Sequence, residues 1–203
     1  MSIIYNPNAL ISNESGTRNT IISKHCAASV KEDACDQLIS NTIIAALKQG
    51  LTNTTHLTAL CDGADNCWKI VDALKPLSGS TTCILDWFHI AKKIENIALS
   101  GEDKEKLTLI KWHLWRGNVE RAQIRLTQLI EKVESSYKDR LQKFLNYIIN
   151  NQTKVVDYRS RKKEGLVFTS QLAESTVESL INQRCKRQQH MRWSREGLNP
   201  FFS

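Results

Sequence analysis

The sequence predicts an α/β fold that is helix-rich overall, because a large all-helical region interrupts its strands. Two short apolar runs, residues 57–61 and 83–85, each end on an aspartate, Asp62 and Asp86, and both are too short to be helices. Between them, residues 64–74 set Cys67, Trp68, Val71 and Leu74 at helical spacing and stop before Lys75-Pro76, which completes a strand, helix, strand unit. From residue 88 to residue 158 apolar residues recur at helical spacing, with no strand pattern of any strength.

Taken in order, residues 1–5 form an apolar strand that runs into the turn Asn6-Pro7-Asn8. Thr20, Ile21 and Ile22 suggest a second strand, which the polar stretch 12–17 would join to the first as a hairpin. Residues 36–48 place Leu38, Ile39, Ile43, Ala46 and Leu47 on one stripe closed by Gly50, as a helix should end. After the unit around Asp62 and Asp86, helical stripes follow. They are Ile90, Ile94 and Ile97, then Leu107, Ile110 and Leu114 with Trp112 and Trp115 as packing residues. Val119, Ala122, Leu126, Leu129, Ile130 and Val133 form the next, and Leu141, Phe144, Leu145, Ile148 and Ile149 another. Val155, Val156 and Tyr158 suggest a shorter helix, and a last long one spans residues 170–187. The expected organisation is therefore an α/β part over 1–86, a helical insertion over 87–165 and a C-terminal helix with a basic tail over 166–203.

A length of 203 residues suffices for one domain carrying an insertion, and 41% hydrophobic with 24% charged residues is ordinary for a soluble protein. No run approaches the ~18 apolar residues of a membrane span, and no secretory signal is visible, so a cytoplasmic location is expected. The six cysteines form no C-x-x-C pair and three lie in apolar runs, which reads as buried reduced thiols. The net charge of +7 is uneven. Residues 1–139 hold 16 Lys and Arg against 16 Asp and Glu, whereas residues 140–203 hold 12 against 5, so the whole excess belongs to the last third. That asymmetry favours a polyanionic partner such as DNA. The candidate contacts are Arg159, Arg161, Lys162 and Lys163 in one basic run, Arg184, Lys186 and Arg187 in the last helix, and Arg192, Trp193 and Arg195 in the tail. Trp193 either stacks on a base or anchors the tail to the core.

In a parallel unit, polar groups at the carboxyl ends of the strands face a common crevice where α/β sheets bind ligands. Asp62 and Asp86 occupy such ends, and capping of the following helices is the alternative use for both. The segments CDGADNCW (61–68), ILDWFHIAKKI (84–94) and TVESLINQRCKRQQHMRWSREG (176–197), in this order and with a helical insertion between the last two, resemble the Mutator-like DDE transposases of bacterial insertion sequences. The likeness spans nearly the whole chain. It implies a ribonuclease-H-like mixed sheet, bacterial cytoplasm near the nucleoid, transposon ends and target DNA as partners, a homo-oligomer on paired ends, and no membrane.

It also implies a chemistry. Two aspartates and a glutamate hold two Mg²⁺ or Mn²⁺ ions roughly 4 Å apart, which clamp the attacking and leaving oxygens during DNA cleavage and strand transfer. Asp62 matches the second catalytic aspartate and metal ligand, and Glu178 matches the glutamate, with Glu174 one helical turn away as its substitute. Asp86 and His89 match a signature beside the catalytic centre, which assigns them to positioning DNA or the active site; a satisfied core histidine is the plainer use of His89. The family's first aspartate lies on a central strand upstream of the hairpin, and no Asp precedes Asp33. The expectation is thus an N-terminally truncated fragment that lacks a ligand, the middle of its sheet and the upstream region that binds transposon ends, and that is inactive alone. Two other readings compete: a non-catalytic basic DNA-binding fragment, and a regulatory α/β domain in which Asp62 and Asp86 only cap helices.

Overall fold

Around the two aspartates the chain folds as the pattern requires. The computed structural model describes residues 1–12, 19–29 and 35–171. Strand β5 (His56–Cys61) is followed by helix α2 (Asp65–Leu74) and strand β6 (Ser80–Leu85). The strands run parallel. At one end the Gly79 amide donates to the Thr55 carbonyl at 3.0 Å, and at the other the Asp86 amide donates to that of Cys61 at 2.9 Å. Pro76 closes the connection as part of a short 3-10 turn after α2.

Two compact units share these strands. The first comprises residues 1–58, 65–82 and 171–203, the second residues 59–64 and 83–170. In the first, β1 (Ser2–Ile4) pairs antiparallel with β4 (His25–Ala27), and β2 (Leu10–Ser12) pairs antiparallel with β3 (Asn19–Ile21). The expected hairpin between the first strand and residues 20–22 is therefore corrected: each has a different partner. The 3-10 turn Pro7–Ala9, with the Asn6 side chain accepting the Asn8 amide, redirects the chain so that β2, not β1, meets β3. Strands of three residues carry too few alternations to declare themselves in sequence.

Helix α1 (Asp36–Lys48) has the predicted bounds and packs on β1, β4 and α2. Ala46, Leu51 and Leu74 form its buried cluster with Ile4, Ile43, Leu57 and Leu77. Leu47, placed on the inward stripe from sequence, is 53% exposed, because the last turn faces the core with Ala45 and Ala46 and turns Leu47 off that face.

The second unit is helical. It contains α3 (Trp87–Ile97), α4 (Gly101–Trp115), α5 (Val119–Lys132) and α6 (Ser135–Asn150). Helix α3 touches α4 and α6, and α5 touches the same two, so the four close on a common core. Ile90, Ile110, Leu114, Leu126, Leu141 and Ile148 are fully buried there. Each belongs to an expected stripe. Ile149 does not share the burial and lies 43% exposed.

Val155 and Val156 are not helical. A 3-10 turn (Gln152–Lys154) ends before them, and α7 (Tyr158–Lys163) begins after Asp157, whose carboxylate caps it by accepting the Ser160 amide at 3.0 Å. The basic run is thus itself the helix, its three last cations at the negative helix end. The expected C-terminal helix lies almost wholly outside the described residues. Among those described, no helix is long and apolar enough to cross a membrane.

Candidate functional site

The carboxyl ends of β5 and β6 set Asp62 and Asp86 in one unit, but their environments differ. Asp86 is 1% exposed. Its Oδ1 accepts the Phe88 amide at 3.1 Å and the Ser170 amide at 3.0 Å; its Oδ2 accepts the His89 Nδ1–H at 2.6 Å and the Ser170 hydroxyl. Asp86 is therefore the N-cap of α3, as one reading held, and also the anchor of residues 89 and 170. Four donors account for both oxygens, which is what allows a carboxylate to be buried.

His89 is fixed by that contact. With Nδ1 engaged by Asp86, its Nε2 is the nitrogen left for another partner, and the side chain is 36% exposed. The Phe88 ring meets the imidazole edge-on at 5.5 Å. His89 is thus not a satisfied core histidine.

Asp62 is only half-buried. Its Oδ1 accepts the Ala64 amide at 2.9 Å, a local turn across Gly63. The turn is tight. Gly63 has φ +95°, and a Cβ there would lie 2.6 Å from the Tyr147 ring and 3.0 Å from the Leu85 side chain. Only glycine meets both demands.

Two tyrosines bind the backbone at the two strand ends. The Tyr147 hydroxyl donates to the Asp62 carbonyl at 2.8 Å, and the Tyr158 hydroxyl donates to the Leu85 carbonyl at 2.7 Å. Burial first, then the negative charges of Asp62 and Asp86, pushes the Tyr147 phenol far above its ordinary range. Burial likewise raises Tyr158, with Tyr147 and Asp86 adding to it. Both hydroxyls therefore stay protonated donors. Sequence periodicity could not single them out, since each lies within or beside an apolar helical stripe.

An aromatic cluster adjoins Tyr158. Trp87 packs on Trp115 at 4.7 Å and on Tyr158 at 5.0 Å, while Phe168 meets Trp115 edge-on. Trp115 is a packing residue as expected. Trp112 is not: it is 51% exposed at a groove of about 580 Å³ between α3 and α4, lined also by Trp87, Trp115, Lys104 and Lys111.

Arg161 donates through Nε to the Val167 carbonyl at 3.0 Å and so ties down the loop after α7, which leaves its terminal N–H groups for another partner. Arg159, Lys162 and Lys163 are exposed on that helix. Glu174, Glu178, Arg184, Lys186, Arg187, Arg192, Trp193 and Arg195 lie outside the described residues.

Among the described residues no three His, Cys, Asp or Glu side chains gather to hold a metal. Asp62, half-buried and with a single hydrogen bond to its carboxylate, fits as one oxygen ligand of a hard cation. Asp86 does not fit, since its oxygens are already committed.

One partly buried histidine gives the helical unit a pH response. The His113 Nδ1 is buried with no hydrogen-bond partner among the described residues, and desolvation, aided by Arg125, Arg121 and Arg116, holds the pKa of this histidine below the usual value. The unfolded chain binds that proton more readily. Stability should therefore be full above about pH 6.5, the unfolded value, and decline as pH falls below it. Urea midpoints at a series of pH values should fall less steeply in His113→Gln than in the natural chain.

Comparison of the chain with protein families, with curated proteins and with solved structures gives no match.

Proposed function

We propose that this chain carries the catalytic-type core of a DDE transposase, a protein that cleaves DNA and transfers strands with two divalent metals. The observation that supports the reading best is the pair of aspartates at the carboxyl ends of adjacent parallel strands, joined by the bond from the Asp86 amide to the Cys61 carbonyl at 2.9 Å. Their unequal environments agree with unequal roles. Asp62 keeps a carboxylate available for a hard cation, whereas Asp86 is consumed in holding His89 and Ser170.

In this reading Asp62 and Glu178 contribute carboxylates to Mg²⁺ or Mn²⁺. Bound metal would supply charge stabilisation at the attacking and leaving oxygens of a phosphodiester. Asp86 orients the imidazole so that Nε2 is free for a DNA phosphate or a proton. Lys162, Lys163 and the cations of the last third attract the DNA backbone.

A second reading, DNA binding without catalysis, is favoured by the groove between α3 and α4, where the exposed Trp112 lies beside Lys104 and Lys111. Fluorescence anisotropy with a labelled duplex, titrated with salt with and without Mn²⁺, separates the two. The transposase reading expects Mn²⁺ to tighten binding beyond the effect of equal ionic strength. Binding that weakens steeply with salt and ignores Mn²⁺ supports the second reading.

A further inference from the structure

We infer that Tyr147 is a positioning residue for Asp62, fixing the orientation of its carboxylate through the backbone of the Asp62-Gly63 turn. The assignment rests on the reading of Asp62 as a metal ligand. Its basis is a contrast between two hydroxyls that make the same bond. Tyr147 and Tyr158 each donate to a backbone carbonyl at the carboxyl end of a parallel strand, at 2.8 Å to Asp62 and 2.7 Å to Leu85.

What the two bonds hold is different. Beyond Leu85, the Asp86 side chain is gripped by donors from Phe88, His89 and Ser170, so its orientation does not depend on Tyr158 alone. The Asp62 carboxylate has one hydrogen bond among the described residues, from the Ala64 amide inside its own turn. That bond cannot fix the turn relative to the helices. Tyr147, which stands 85 residues further along the chain on α6, can.

The ring is seated as firmly as the hydroxyl. It lies where a side chain on Gly63 would have to go, 2.6 Å from an added Cβ. Lys93 places its Nζ over the other part of the ring, 4.5 Å from the centroid, and Phe144 stacks alongside at 6.4 Å. A ring held on three sides fixes the hydroxyl, and the hydroxyl fixes the turn. Outer partners that orient a ligand in this way tune metal affinity without touching the ion.

The test compares hydroxyl deletions that leave both rings. Free Mn²⁺ measured by electron paramagnetic resonance gives its affinity for the natural chain, Tyr147→Phe, Tyr158→Phe and Asp62→Asn, and urea unfolding gives stability for each. Tyr147→Phe should weaken Mn²⁺ binding about tenfold, while Tyr158→Phe stays within about twofold of the natural chain despite a similar loss of stability. A purely structural bond would act alike in both. Equal Mn²⁺ affinities in the two variants would therefore overturn the assignment. If Asp62→Asn weakens binding and Tyr147→Phe does not, the positioning role fails alone; if Asp62→Asn binds Mn²⁺ as the natural chain does, the metal reading and the positioning role fail together.

Discussion

Asp86→Ala should destabilise the protein by about 3–5 kcal/mol, measured as the loss in unfolding free energy in urea. The carboxylate is 1% exposed and is the acceptor for the amides of Phe88 and Ser170, the His89 ring and the Ser170 hydroxyl. Alanine removes the acceptor that these donors share. Part of the loss is the cap of α3, worth about 1 kcal/mol by itself. The remainder comes from buried groups left unpaired. Asp86→Asn keeps the shape but brings two donors of its own, so it should recover only part of the loss. A cost near that of a simple cap would mean that residues 89 and 170 are held by something else.

Gly63→Ala is expected to cost about 2–4 kcal/mol, from a left-handed backbone that disfavours any side chain and from overpacking. The strain has a definite address. At φ +95° the new methyl would point at the Tyr147 ring, the Asn151 amide and the Leu85 side chain, all at 3.0 Å or less. Backbone and packing cannot both relax, because moving the turn away also stretches the Tyr147 bond to the Asp62 carbonyl. Gly50, whose φ is +90° but whose added Cβ would meet nothing within 4 Å, serves as the comparison. Gly50→Ala should cost about 1 kcal/mol, the backbone part alone.

Much of the framework around these residues was legible because its periodicities are long. Helix α1 and the core stripes of α3 to α6 follow from apolar spacing, and β5 and β6 from short apolar runs ending at aspartate. What the sequence concealed is short or depends on contacts distant in the chain. The pairing of β1 with β4 rests on three residues in each strand, and Val155 and Val156 gain their extended form from the turn before Asp157. Periodicity identified Asp62 and Asp86 as a pair at strand ends. The difference between them was set by Tyr147, Tyr158 and Ser170, whose partners lie 85, 73 and 84 residues away. No local pattern encodes such separations. Trp112 likewise sits at the spacing of a packing residue, and spacing alone cannot distinguish a tryptophan facing its helical neighbours from one facing a groove.

The roles proposed here are Asp62 as a metal-binding carboxylate working on DNA and Asp86 as a structural anchor. The most direct measurement is the Mn²⁺-dependent gain in DNA affinity, determined by anisotropy at constant ionic strength for the natural chain and for Asp62→Asn. Mn²⁺ should tighten binding by the natural chain, and Asp62→Asn should abolish the gain while keeping the metal-free affinity. An Asp62→Asn chain that retains the full Mn²⁺-dependent gain would contradict these roles.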